Sequence, residues 1–203
     1  MINLTLPISE EDIIKLKVGD NVSLTGIMVT ARDVAHKYIM EHFIKKEPTG
    51  KDKELFDLLY KYLHDGIIYH CGPVVKEDKG KYTFLAAGPT TSIREEPYQA
   101  DVMKHFGLRG VIGKGGMGDK TLQALMDHKA VYLHAIGGAA ALIGKSVKEV
   151  LGVERLDFGM PEAFWIIRVE DFRCVVTMDS HGHSRHKDMI ESSKGRLDEL
   201  LAQ

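Results

Sequence analysis

Apolar residues along this chain fall into short runs that end on glycine, separated by stripes at helical spacing. Val22-Ser23-Leu24-Thr25-Gly26-Ile27-Met28-Val29-Thr30 begins with period-two alternation and predicts a strand. In Thr30-Ala31-Arg32-Asp33 an acidic residue stands three positions after a threonine, the spacing of a capping box, which predicts a helix start. Ala35, Ile39 and Phe43 then recur every four residues and give that helix a buried stripe. Residues 45–53, rich in lysine with Pro48 and Gly50, predict an exposed, mobile loop. Further strands are predicted at 66–71, 82–87, 110–113, 131–136, 163–169 and 174–178, with Val74 and Val75 in a turn. Leu122, Leu125 and Met126 predict a helix from about Asp119, residues 139–143 one or two helical turns, and residues 186–201 a helical tail. Strands alternating with helices define an α/β protein, expected here as a single domain over 1–203. The strand-rich N-terminal third predicts mixed strand directions rather than a regular doubly wound sheet.

Composition narrows the class without naming a chemistry. The 203 residues carry 27 Lys plus Arg against 29 Asp plus Glu, a net charge of −2, so a basic nucleic-acid surface is not expected. No apolar run approaches a membrane span, and the N-terminus lacks the basic and apolar regions of a signal peptide. With only Cys71 and Cys174, neither a disulfide framework nor a cluster ligated by this chain's thiolates is expected. The expectation is a reduced, cytoplasmic, soluble protein that binds neither nucleic acid nor membrane.

Three loops carry candidate chemistry. Gly113-Lys114-Gly115-Gly116-Met117-Gly118-Asp119-Lys120-Thr121 lies between a predicted strand and a predicted helix, where glycines admit an anion to backbone N–H groups. Asp119 separates Gly118 from Lys120-Thr121 and breaks a Walker spacing, which weighs against a nucleotide. A tight packing turn and a small-anion site charged by Lys114 remain open. Gly88-Pro89-Thr90-Thr91-Ser92-Ile93-Arg94 sets three hydroxyls and a guanidinium after a strand end, either as a helix cap or as a carboxylate site. Arg32 stands in the first turn of a predicted helix, where the dipole disfavours a cation; it is either a solvated arginine or one with an anionic ligand. Strand-to-helix junctions are where open α/β sheets bind ligands. Three cations at such junctions point to a substrate with more than one carboxylate.

Other candidates are weaker. His181-Gly182-His183-Ser184-Arg185-His186 lacks an evident acidic or cysteine partner for a metal and is expected to be solvent-exposed. Cys71 and Cys174 adjoin apolar strand residues and are expected as buried small hydrophobes. Glu162, within Met160-Pro161-Glu162-Ala163-Phe164-Trp165, is a possible general acid in a segment otherwise expected as core or interface edge.

Taken together, Gly26–Asp33, Ala87–Arg94, Gly113–Gly118, Gly159–Ala163 and Val169–Phe172 resemble the beta subunit, or C-terminal domain, of the iron–sulfur fumarases and L(+)-tartrate dehydratases. The resemblance covers about residues 5 to 180. It implies a swivelling β/β/α domain with a mixed sheet and flanking helices. It also implies a hydro-lyase, of the tricarboxylic acid cycle if its substrate is fumarate, that interconverts fumarate and L-malate. L(+)-tartrate dehydratase is the alternative within the class, and a non-catalytic anion- or nucleotide-binding module the alternative outside it. By the same resemblance Arg32, Thr90, Thr91, Arg94 and Lys114 bind substrate, and Thr90, activated by Lys114, moves a proton. A [4Fe–4S] cluster belongs to a partner alpha subunit, with two alpha and two beta chains in the complex. Isolated beta chains could pair as a homodimer, and a site shared between chains predicts activity only with the alpha subunit.

Overall fold

The fold is given by a computed structural model that describes residues 1–202. In chain order the elements are β1 (Ile2–Thr5), α1 (Glu10–Ile13), β2 (Asn21–Thr30), α2 (Asp33–Ile39), α3 (Lys51–Leu63), β3 (Ile67–Tyr69), β4 (Val74–Asp78), β5 (Lys81–Ala86), α4 (Glu96–Phe106), β6 (Gly110–Gly113), α5 (Asp119–Asp127), β7 (Val131–His134), α6 (Ala140–Gly144), β8 (Val147–Glu154), β9 (Phe164–Met178) and α7 (Arg185–Leu201). This is a mixed α/β fold, with a seven-stranded sheet in the order β1-β2-β3-β6-β7-β9-β8 and a separate β4–β5 hairpin.

Strands β1, β2, β3, β6 and β7 run parallel, whereas β9 is antiparallel to both β7 and β2. The 15-residue β9 lies along β2 on one edge. Its opposite edge carries β8 over the first half and β7 over the second. The sheet therefore closes on itself through β9. Gly26 marks a register shift in β2, and its φ of 138° suits glycine. A Cβ there would sit 2.7 Å from that of Leu6, so the β1–β2 connection can pass close by.

Side chains on successive strand residues enter two different cores. Met28, Tyr69, Ile112, Leu133, Trp165 and Ile167 fill one, together with Phe84 of the hairpin and Leu16. Val29, Ile68, Val111, Tyr132 and Ile166 fill the other, against helices α2 to α5. Burial on both faces makes such strands read as continuous apolar runs rather than alternating ones.

Several local expectations need correction. Thr30 does not cap a helix: it ends β2 fully buried, and its hydroxyl accepts the Trp165 N–H at 3.2 Å. The N-cap of α2 is Arg32, without a side-chain capping bond. The predicted stripe of Ala35, Ile39 and Phe43 is buried, and the last of these lies in a π-helical turn, Met40–Ile44. Residues 51–53 are not loop but the first turn of α3, whose Leu55, Leu59 and Leu63 pack into the core. Val74 and Val75 begin β4. The two strands expected over 163–178 are one. Glu170, Asp171 and Arg173 interrupt the apolar pattern because they are exposed where the outer edge passes from β8 to β7, while pairing with β2 runs on either side of the register shift. The edge strands β1 and β8 lay outside the expectations, and β8 is half-exposed along much of its length.

Candidate functional site

The parallel strands all point their C-terminal ends to one edge, where an α/β sheet offers its loops to ligands. Arg32 follows β2, His70-Cys71-Gly72 follows β3, Lys114 follows β6 and Ala135-Ile136-Gly137 follows β7. The predicted site residues form two groups on this edge.

The first group is Thr90, Thr91 and Lys114. The Thr90 N–H donates to the His70 carbonyl at 2.7 Å, the Lys114 N–H to the Thr90 carbonyl at 3.2 Å, and the Ser92 N–H to the Lys114 carbonyl at 3.0 Å. Thr91 and Lys114 pair as an isolated parallel bridge. Backbone bonds thus hold the threonine loop against the glycine loop. Thr90 and Lys114 are half-buried, and Thr91 is exposed. Thr91 makes no capping bond to the 3-10 turn Ser92–Glu95, which leaves its hydroxyl uncommitted as a cap.

The second group is Arg32 and Arg94. Arg94 is exposed and forms an ion pair with Asp33, the residue after Arg32. The Arg32 Nε lies 3.4 Å from a Glu162 oxygen and has no hydrogen-bond partner, although it is buried. The other Glu162 oxygen accepts the Val34 N–H at 3.1 Å. Glu162 therefore sits at the start of α2 as a structural anion beside Arg32. The loop after β3 touches both groups: His70 through Thr90, and Gly72 through the Arg32 side chain, which leaves no space for a Cβ.

The glycine loop does not present an open helix end. Gly118 and Thr121 donate their N–H groups to the Glu96 carboxylate at 2.8 and 3.1 Å, and the Thr121 hydroxyl donates to it at 2.6 Å. An internal carboxylate already occupies the start of α5. This argues against a phosphate-binding loop; Lys114 lies upstream of that filled turn. Gly116, at φ 77°, packs on the His186 ring, where a Cβ would collide. His186 is accordingly half-buried rather than solvent-exposed as expected, with its Nε2 3.0 Å from the Thr177 hydroxyl. His181 and His183 are exposed. Their turn is organised by the buried Asp179, which accepts both backbone N–H groups at 3.0 Å and faces His183 Nδ1 at 3.1 Å.

Sequence reasoning missed a buried polar layer beneath the site. His36, His70, Ser92, Glu95 and Gln99 are all fully buried. Burial lowers the His36 pKa from 6.5 to about 4 and holds His70 well below its ordinary value, so both rings are neutral. Glu95 is pushed up to about 7, first by burial and then by the Glu162 carboxylate, against the pull of Arg94 and Arg32. Both its oxygens lack hydrogen-bond partners. The available signal was polar residues inside apolar surroundings: His36 between Ala35 and Ile39, and His70 between Tyr69 and Cys71.

The Cys71 and Cys174 thiols are buried, and burial raises both pKa values, that of Cys71 to about 12. Protonated, enclosed thiols do not fit an iron–sulfur ligand role. Among the described residues no group of three or more His, Cys, Asp or Glu could hold a metal ion. No helix among them is long and apolar enough to cross a membrane.

Fold and site define an α/β protein that presents cations and hydroxyls at the C-terminal edge of its sheet. The sequence profile of the fumarase C-terminus family matches residues 1–189, and the chain belongs to that family. A Geobacillus stearothermophilus protein provisionally named fumarate hydratase class I is 52% identical over 98% of this chain, which spans 36% of that relative's length. A Methanocaldococcus jannaschii protein provisionally named L(+)-tartrate dehydratase subunit beta is 40% identical over 96% of this chain and 95% of its own. The Escherichia coli K12 L(+)-tartrate dehydratase subunit beta is 36% identical over 89% of this chain and 84% of its own.

Proposed function

We propose that this chain is the beta component of a hydro-lyase that adds water reversibly to fumarate, giving L-malate, at a site completed by an alpha chain. The observation that carries this reading is the placing of Arg32, Arg94 and Lys114 with two threonine hydroxyls on one sheet edge. The Arg32 and Arg94 guanidinium groups match carboxylates in bidentate fashion. With Lys114 they hold the two ends of a dicarboxylate. In the dehydrating direction Thr90 takes the carbon-bound proton. A free alcohol is a weak base, and in this reading the Lys114 ammonium, on the loop whose backbone is bonded to Thr90, favours the alkoxide. The same cations stabilise the charge that develops on the substrate as that proton leaves. A [4Fe–4S] cluster, carried by the alpha chain, supplies Lewis acidity at the departing hydroxyl. The relatives' names support both fumarate and L(+)-tartrate as substrates; fumarate is our choice on the more similar sequence.

The assembly we propose holds two alpha and two beta chains in the cytoplasm. The test is fumarate hydration by the purified complex. Arg94→Ala and Lys114→Ala each lower kcat/KM by about a hundredfold or more, the cost of losing a charge-stabilising donor. Full activity in both variants would reduce this chain to a scaffold. A complex that dehydrates L(+)-tartrate and leaves fumarate untouched would move the assignment to tartrate dehydratase. Isolated, the chain binds dicarboxylates weakly and turns nothing over.

A further inference from the structure

The two cationic groups of the site sit on different elements, yet one buried side chain reaches the supports of both. Gln99, on α4, meets His36 Nε2 at 3.2 Å and His70 Nε2 at 2.8 Å through a single end of its amide. The two rings stand edge to face with centroids 5.0 Å apart. His36 Nδ1 faces the Arg32 carbonyl at 3.0 Å, and His70 Nδ1 faces the Ser92 hydroxyl at 2.9 Å. The Tyr132 hydroxyl also donates to Ser92, at 2.8 Å. The His70 carbonyl accepts Thr90, and the Ser92 N–H is bonded to Lys114.

We infer that Gln99 is a positioning residue: it sets the Arg32 junction and the Thr90–Lys114 junction relative to each other through the two histidines it joins. This rests on the proposed carboxylate site and adds a residue that touches no substrate. The chemistry of the groups fixes the orientation. The Arg32 carbonyl only accepts, so neutral His36 carries its proton on Nδ1, and its Nε2 then needs a donor, which Gln99 Oε1 cannot be. Turned about, the amide NH2 offers two hydrogens to two imidazole nitrogens. Each Nδ1–H is then free to donate, from His36 to the Arg32 carbonyl and from His70 to Ser92. Every ring nitrogen is satisfied with both histidines neutral, as their burial requires. The ionisable groups around this layer are Glu95, 3.5 Å from His36 Nδ1, with Arg32, Asp33, Arg94 and Glu162 above it.

The test uses the 203-residue chain by NMR, with L-malate as the probe. Gln99→Met keeps the volume and removes the amide. It is expected to shift backbone amide signals at both junctions, residues 31–33 and 90–92, and to raise the L-malate dissociation constant about fivefold. Gln99→Glu is the second variant. A carboxylate facing both rings raises their pKa, so the pH dependence of L-malate binding gains a step in the histidine range beyond that of the native chain. A merely structural glutamine would not generate that pH profile. Shifts confined to α4 in Gln99→Met, or an unaltered pH profile in a folded Gln99→Glu, would overturn the inference. Arg94→Ala in the same titration separates the two proposals. If it leaves L-malate binding unchanged, the carboxylate reading fails, while the amide shifts still decide the joint. If it weakens binding and Gln99→Met does not, the joint fails.

Discussion

Two strand-to-helix junctions on the same edge use a carboxylate in opposite ways. At β6–α5 the Glu96 carboxylate accepts three hydrogen bonds from Gly118 and Thr121 and completes the helix end. At β2–α2 the Glu162 carboxylate accepts one N–H, from Val34, and leaves the neighbouring Arg32 Nε and Asp33 Oδ1 without hydrogen-bond partners. The glycine-rich junction looks more like an anion site in sequence, yet its helix end is the one already filled from within. Donor number is thus a poor guide to function unless the internal acceptors are known. What distinguishes the β2–α2 junction is polar capacity left over at the C-terminal edge of the sheet.

Removing the internal anions is the most direct way to break this comparison. Glu96→Ala strands three donors at a half-buried helix end and is expected to cost about 3 kcal/mol in denaturant unfolding. Glu162→Ala, at the other junction, is expected to cost about 1 kcal/mol, the value of one capping bond. Equal losses would mean that the two helix ends depend equally on their internal carboxylates, and the comparison would fail. Between these effects lies Gly116→Ala, which forces a side chain into a left-handed backbone and against the His186 ring, at about 2 kcal/mol.

A further effect is one of pH, and it sharpens the comparison in the layer below. Glu95 has a raised pKa, so its contribution to stability is present below about 4.5 and is lost as pH rises through about 7. His36 has a lowered pKa, so its contribution is present above 6.5 and is lost as pH falls through about 4. The two oppose each other in the window between. Glu95→Gln removes one of them, so its stability is expected to fall more steeply than that of the native chain as pH drops from 6.5 to about 4. Parallel pH–stability curves would show that Glu95 does not titrate in that window.

Chain-local features were legible in the sequence. The apolar runs that became β2, β3, β6 and β7 and the stripe of α2 report on neighbours a few residues away, and periodicity carries that information. The three cation-bearing loops were legible for the same reason, because glycine and threonine clusters at strand ends mark exits from a sheet. Tertiary structure alone decided which distant group satisfies which donor. Glu96 fills the end of α5 across 22 to 25 residues, Trp165 takes the Thr30 hydroxyl across 135, and Gln99 joins histidines 63 and 29 residues away. β9 reads as two strands because polar residues interrupt it, yet its pairing with β2 spans the interruption. A sequence states the type and spacing of polar groups. Desolvation gives every buried one a strong need for a partner, and that partner is chosen by the packing of elements far apart in the chain.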